Sequence, residues 1–412
     1  MVGTVVAASL IIDAWYGSSS ARNTTENDSV TVSVHETPNW LTSYQVKHAA
    51  GLKRLRRGEY TKVLVYSCHD GCGGVGDRLS GILSAFYVAV ATGRVFLIDH
   101  TSPVDLNLTL SPARIDWNAA YLVRDVPSTT VHMMDPADPM RSFGVLFEAL
   151  VPSTPVVRVQ MNRFYVAMAL WTPRIKGQPR EHAYRYIGHM YRLHGSTMET
   201  KEAIHIAFHA LFTFSRHVEM RAADMMKEMG LQTPRSSAYV AIHARMGGSP
   251  RNSSNVVTWT DPARHSLNNV DEFLACARSK TTSGEPLSMS NSIIPILVFS
   301  DSKDFQKAAA NMDQNVHFVM STVLFHVDRS TKNSDIVMQG NIDTYSEFYI
   351  ISRADCVVGS QSTFSAVAAT VSKSAYDVTR CYCIFDSCQS DALDFFEVSE
   401  RSKLRFLRPS AD

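Results

Sequence analysis

The chain has 412 residues, 45% of them hydrophobic and 19% charged, with a formal net charge of +1. That length exceeds one ordinary core and points to two domains plus a tail, at about 150 residues per domain. A charge so near zero excludes a broad field for nucleic acid or anionic lipid, so any anionic ligand must meet a local site.

The first element is an apolar run, Val2 to Ile12, shorter than the roughly 20 residues of a membrane span. Its length suits the core of a secretory signal, but no Lys or Arg precedes it, so a cleaved signal and a membrane anchor both stay open. Asn23, Asn27, Asn107 and Asn252 each begin a glycosylation sequon, and two of these fall in a Ser/Thr/Asn-rich stretch before Val30. Residues from about Ser18 to Gln45 carry no helical or strand period, so residues 1–45 are expected to be a leader and disordered stem.

"KVLVYSC" then reads as a buried strand, ended by His-Asp-Gly. Leu79, Ile82, Leu83, Phe86 and Val90 recur at helical spacing, and "RVFLID" is a second strand. Strand, glycine turn, helix and strand predict a βαβ unit and a parallel sheet. Gly71, Gly73 and Gly76 fit the G-x-G-x-x-G spacing, and Asp99 falls where a ribose-binding acid would, so an NAD(P)-dependent oxidoreductase is one reading. Asp77 weighs against it. A carboxylate roughly 6 Å from a pyrophosphate opposes it by about 3 kcal/mol at an effective dielectric near 20. The helix dipole returns only about 0.3–1 kcal/mol to that carboxylate.

The middle, roughly Val104 to Gly230, gives no clear strand pattern. It holds Met- and His-rich helical segments such as "TKEAIHIAFHALFTFSRHVEMRAADMMKEMG". His189, His194, His205 and His209 lack an H-E-x-x-H pattern, so the Met and aromatic residues read as core filling and no metal site is expected. From Arg235 the α/β alternation returns. "SAYVAIHARMGG" is strand and turn, "IIPILVFSDSKDF" is strand, turn and helix start, "HFVMSTV" is a strand, and "DTYSEFYIISRADCVVGSQSTFSAVAATVS" is helix, strand, turn and helix. The expected domains are residues 46–234 and residues 235–412, two nucleotide-fold-like halves with a ligand in the cleft at the carboxyl ends of the strands.

Alternation on the second-half strand puts Tyr239, Ala241, His243 and Arg245 on one face and Val240, Ile242 and Ala244 on the other. Arg245 emerges at the strand end before Gly247 and Gly248. There it requires an anion or carboxylate partner: a structural salt bridge is the plain alternative, a phosphate clamp the functional one. Ser300, Asp301 and Ser302 stand at the mouth of the sheet, with Asp301 or Ser302 a plausible helix cap. Ser360, Ser362 and Thr363 begin a helix with no acid in its first turn, a ready anion seat. Of seven cysteines, Cys68 and Cys72 flank the glycine loop, Cys276 and Cys356 lie in apolar segments, and Cys381, Cys383 and Cys388 cluster late. Disulfides in a secretory protein and buried thiols in the cytosol both fit, while "CYCIFDSC" lacks the spacing of a zinc site.

In this order and spacing, "GCGGVGDRLSGILSAFYVAVATGRVFLID", "HARMGG", "SDSKDF" and "SRADCVVGSQSTFSAVAA" resemble the GT-B fucosyltransferases that use GDP-fucose. The α1,6-fucosyltransferase and bacterial nodulation type is most similar, with protein O-fucosyltransferases next. The resemblance covers roughly Lys62 to Ser372. It implies an α/β, GT-B fold with two Rossmann-like domains facing a cleft, and an inverting transfer of fucose to a hydroxyl of a glycan or glycoprotein in the Golgi or ER lumen. By resemblance, Arg245 contacts the β-phosphate with His243 beside it. Asp301 and Ser302 lie near guanine and ribose, Ser362, Thr363 and Phe364 at the diphosphate, and Gly74, Gly76, Asp77 and Arg78 form the N-terminal wall. GDP-fucose is then a donor substrate; no cofactor, metal or nucleic acid is expected, and no D-x-D occurs in the chain. Arg245 and Asp77 are the expected catalytic pair, with Asp261 the second candidate base. A glycan-binding GT-B fold without turnover is the non-enzymatic alternative.

Overall fold

The computed structural model describes residues 38–69, 71–134, 146, 149–150, 154–164, 200–232, 238–247, 263–282, 294–320, 335–360, 362–371 and 381–384. The N-terminal apolar run, Asn23, Asn27, Asn252, His189, His194, Gly248, Asp261 and Cys388 lie outside them.

Helix α1 (Asn39–Arg56) starts inside the stretch expected as polar stem, because Leu41, Tyr44, His48 and Leu52 fall at helical spacing and are buried. Strand β1 (Val63–Cys68), helix α2 (Val75–Thr92) and strand β2 (Val95–His100) form the expected βαβ unit. β1 and β2 pair in parallel from Val63 opposite Val95 to Cys68 opposite His100. Period two sorts β1: Leu64, Tyr66 and Cys68 join a core with Leu79, Ile82, Leu83 and Phe86 of α2, while Val63 and Val65 join another with Leu52, Val95 and Leu97.

The middle region supplies β3 (Leu110–Pro112), β4 (Ser128–Met133) and β5 (Val156–Met161). The first sheet runs β2-β1-β5-β4 with every pairing parallel. The long helical segment read after it is interrupted. Helix α3 (Thr200–Leu211) gives way to β6 (Phe212–Phe214), which pairs antiparallel with β3. Helix α4 (Arg216–Glu228) restarts where Ser215 Oγ accepts the Val218 N–H.

The second sheet comprises β7 (Val240–Ala244), β8 (Ile296–Ser300), β9 (Val316–His317), β10 (Cys356–Gly359) and β11 (Cys381–Ile384), in the all-parallel order β11-β10-β7-β8-β9. Of the strand expected over "HFVMSTV", His317 falls in β9, Phe318 to Met320 do not, and the remainder lies outside the described residues. Helices α5 (Val270–Thr282), α6 (Lys303–Met312), α7 (Asp335–Ile351) and α8 (Thr363–Thr370) connect or follow these strands. As alternation predicts, Tyr239 and Ala241 join the core shared with the first sheet, and Val240, Ile242 and Ala244 the core beneath α5 and α6. No described helix is long and apolar enough to cross a membrane. Cys68 and Cys72 form a disulfide, and Cys276 and Cys356 are also disulfide-bonded.

Candidate active site

The carboxyl ends of the adjacent strands β10, β7 and β8 deliver three turns to one place. Asp301, just past β8, holds them together. Its Oδ1 accepts the Met246 N–H at 2.7 Å, and its Oδ2 accepts the Gly247 N–H at 3.1 Å and meets an Arg245 guanidinium nitrogen at 3.0 Å. Gly247 takes a φ of 68°, the left-handed conformation that favours glycine, which lets the chain curl over this carboxylate. The Arg245 N–H donates to Ser360 Oγ at 2.9 Å, and Ser300 Oγ donates to the Ala244 carbonyl at 2.7 Å.

Arg245 therefore has the carboxylate partner that its burial demands. Its side chain keeps 17% exposure, so the cation is fixed and still reaches the mouth of the sheet. The structure gives Asp301 a bracing role that sequence spacing did not reveal. Ser302 is the helix cap, with Oγ accepting the Phe305 N–H at 3.3 Å.

His243 lies beneath. Its Nδ1 is 2.6 Å from Ser365 Oγ and its ring packs on Phe364 with centroids 4.8 Å apart. Burial first, then the charges of Arg245 and Arg264, pushes its pKa down to about 3, so the imidazole is neutral. It supports the first turn of α8 as a neutral hydrogen-bonding group. Ser362, the first residue of that turn, makes no side-chain cap bond, and no acidic residue sits in it. The positive end of α8 thus faces the strand ends beside Arg245, an arrangement suited to a phosphate or diphosphate.

The glycine loop has a different function from the one its spacing suggests. A Cβ on Gly76 would fall on the Phe364 amide and 2.6 Å from the Thr363 carbonyl carbon, so α2 packs here directly on the backbone that starts α8. Asp77 is a helix cap, its Oδ2 accepting the Gly74 N–H at 3.2 Å. Arg78, expected on the cleft wall, is 2% exposed and lies behind it. Its guanidinium donates to the Gly73 and Ser102 carbonyls and contacts Cys68 Sγ and His100 Nε2. Asp99, expected for a ribose, instead pairs with Arg158 of β5 at 3.0 Å. A pyrophosphate at the start of α2 would compete with the Asp77 carboxylate and with the chain of α8, which weighs against the oxidoreductase reading.

Two further features escaped the sequence reading. Ser67 Oγ, His69 and Asp99 meet at the carboxyl edge of the first sheet. Glu347 of α7 is half-buried, and its pKa is pushed up to about 8, by burial above all, against the opposing pull of Lys303. Neither carries a motif spacing; only the isolated "CHDG" after β1 could have drawn attention to His69. Among the described residues, no three His, Cys, Asp or Glu side chains are grouped to hold a metal.

No family model and no curated protein sequence matches the chain. Among solved structures, a mutant of FUT1 from Arabidopsis thaliana in complex with GDP is 15% identical. The match covers 81% of this chain and 76% of that one, with a TM-score of 0.51. The NodZ alpha-1,6-fucosyltransferase soaked with GDP-fucose is 13% identical, covering 76% of this chain and 93% of that one with a TM-score of 0.44. NodZ from Bradyrhizobium gives 13% identity, 76% and 94% coverage, and a TM-score of 0.43. The fold, with its parallel α/β sheets, is of the GT-B type shared with the FUT1 structure.

Proposed function

We propose that this chain is an inverting fucosyltransferase that moves fucose from GDP-fucose to a hydroxyl of a glycan or glycoprotein. The observation that carries this reading is the pairing of a fixed cation, Arg245 on Asp301, with the acid-free start of α8 at the carboxyl ends of neighbouring strands. The FUT1 structure that shares the fold holds GDP, which supports a GDP-sugar as donor. The disulfides suit an oxidising compartment such as the Golgi or ER lumen, with the N-terminal run as signal or anchor.

The chemistry follows from where charge develops. Cleaving the bond between the anomeric carbon and the β-phosphate oxygen leaves an oxocarbenium-like centre and puts the electron pair on GDP. A cation placed at the β-phosphate stabilises that transition state more than the ground state. Arg245, held by Asp301 and by the Ser360 hydroxyl, needs no reorganisation to do this. Direct attack by the acceptor hydroxyl from the opposite face inverts the anomeric carbon. Ser362, Thr363 and Phe364 present backbone N–H groups to the diphosphate, and Ser302 lies on the nucleoside side. Gly74 and Gly76 form the adjoining N-terminal wall, where Gly76 admits the start of α8.

Labelled GDP-fucose offered to an array of oligosaccharides and glycoproteins tests the reading. Transfer by the wild-type chain, lost in Arg245→Ala, supports it; glycan capture without release of GDP would favour a binding protein that does not turn over.

A further inference from the structure

The proposed transfer needs a group to take the proton of the acceptor hydroxyl, and neither candidate base named from sequence meets the requirement. Asp261 lies outside the described residues, and the Asp77 carboxylate is bonded to the Gly74 N–H as a helix cap. A different set of side chains stands at the carboxyl end of the first sheet. His69 follows directly on β1. Its Nε2 is 2.9 Å from Ser67 Oγ and 3.7 Å from Asp99 Oδ2. Asp99, near the end of β2, is held in turn by Arg158 from β5 at 3.0 Å. Three neighbouring strands of one sheet thus orient one imidazole.

The arrangement separates the two ring nitrogens. The Asp99 carboxylate faces Nε2 at a distance that acts through charge rather than through a hydrogen bond, and it favours the tautomer protonated on that nitrogen. Nδ1 then carries the lone pair, and the contacts of the ring with Ser67 and Asp99 leave that nitrogen to solvent. Ser67 is buried and Asp99 mostly so, yet the His69 side chain is 53% exposed. An oriented imidazole on a supported base, open to solvent, is what a proton acceptor for an incoming hydroxyl requires. The loop that bears His69 leads into α2, whose Gly76 lies against Thr363 and Phe364 at the start of α8. The imidazole and the anion seat are therefore on elements in direct backbone contact.

Resting on the fucosyl-transfer reading, we infer that His69 is the general base, positioned by Ser67 and Asp99. The acceptor O–H proton passes to Nδ1, the hydroxyl oxygen bonds to the anomeric carbon, and the bond from that carbon to the β-phosphate breaks with its electron pair leaving on GDP. The imidazolium then returns its proton to water. Asp99 stabilises that cation and Arg158 holds Asp99 in place.

The test uses the full chain with GDP-fucose and a pooled glycan and glycoprotein acceptor, reading product release and, separately, GDP binding. His69→Ala lowers kcat by about 10²- to 10⁴-fold, leaves GDP affinity unchanged, and is partly restored by added imidazole. Asp99→Asn lowers kcat by less, again without changing GDP affinity. Wild-type turnover in His69→Ala, a loss that imidazole does not restore, or a loss matched by weaker GDP binding would each overturn the assignment. A wild-type chain that neither binds GDP nor transfers fucose would instead remove the function on which it rests.

Discussion

The guanidinium of Arg245 and the carboxylate of Asp301 lie 3.0 Å apart, and the same carboxylate takes the backbone N–H groups of Met246 and Gly247. The cation, the loop that bears it and the neighbouring strand are thereby one rigid unit. Replacing Asp301 by Ala removes the acceptor of two loop N–H groups and one ion-pair partner of the Arg245 guanidinium. Unsatisfied groups of this kind cost about 1–3 kcal/mol each where water cannot reach them. The expected outcome is a stability loss of a few kcal/mol in urea titration together with weaker GDP binding in calorimetry. Asp301→Asn, which keeps an acceptor but not the charge, should lose binding more than stability.

Gly76 and Gly71 separate packing from backbone conformation. Gly76→Ala drives a methyl into the Phe364 and Thr363 backbone, which cannot rotate aside, and should destabilise by about 1–3 kcal/mol as overpacking does. Gly71, at φ 63° with open space around it, should cost only the left-handed backbone penalty of about 1–2 kcal/mol when changed to Ala. Denaturation midpoints of the two variants, with GDP binding as a second readout, check this: only Gly76→Ala should disturb α8 and hence binding.

The disulfide between Cys68 and Cys72 closes a loop of sequence separation 4 that holds His69 and the first glycine, Gly71. Chain entropy for so short a loop is worth about 2 kcal/mol. The Cys68→Ser, Cys72→Ser double variant should lose about that much stability in urea titration, with GDP binding less affected than turnover. A loop that only shaped the donor site would show the reverse.

Two buried histidines and the half-buried Glu347 give stability a defined pH dependence. His243 and His100 are both depressed to about 3 from 6.5, first by burial and then by neighbouring arginines. Between those values the unfolded chain binds protons that the folded chain refuses, so stability falls as pH drops from about 6.5 toward 3. Glu347 has the opposite sign. Its pKa rises from 4.5 to about 8, so the folded state holds its proton more tightly and stability falls as pH rises across that window. The windows overlap from 4.5 to 6.5, where two histidines outweigh one glutamate, so urea midpoints measured from pH 4 to 9 should peak near 6.5, and Glu347→Gln should flatten the alkaline side.

Much of this fold was legible where strands are buried on both faces. β1 and β7 are fully buried and read as mainly apolar runs, broken only by Ser67 and His243, and the helices after β1 and β10 announce themselves by spacing. β4 and β5 were not legible, because Ser128 to Thr130 are exposed and Arg158 and Gln160 interrupt β5 with polar side chains. The break between α3 and α4 was hidden because Phe212 and Phe214 suit a buried helix as well as a strand; only pairing with Leu110 and Pro112 decides it. Within the site, Arg245 and the start of α8 follow from local pattern. The link from Asp301 to Met246 spans 55 residues, and the approach of Gly76 to Phe364 joins two distant segments, so neither could be read from spacing alone.

The central claim is that Arg245 and the start of α8 bind the diphosphate of a GDP-sugar. Isothermal calorimetry of GDP with the wild-type chain and with Arg245→Ala, alongside NAD(H), tests it most directly. The account predicts saturable GDP binding by the wild type, its loss in a folded Arg245→Ala variant, and no binding of NAD(H). Undiminished GDP affinity in Arg245→Ala, or binding of NAD(H) in place of GDP, would contradict it.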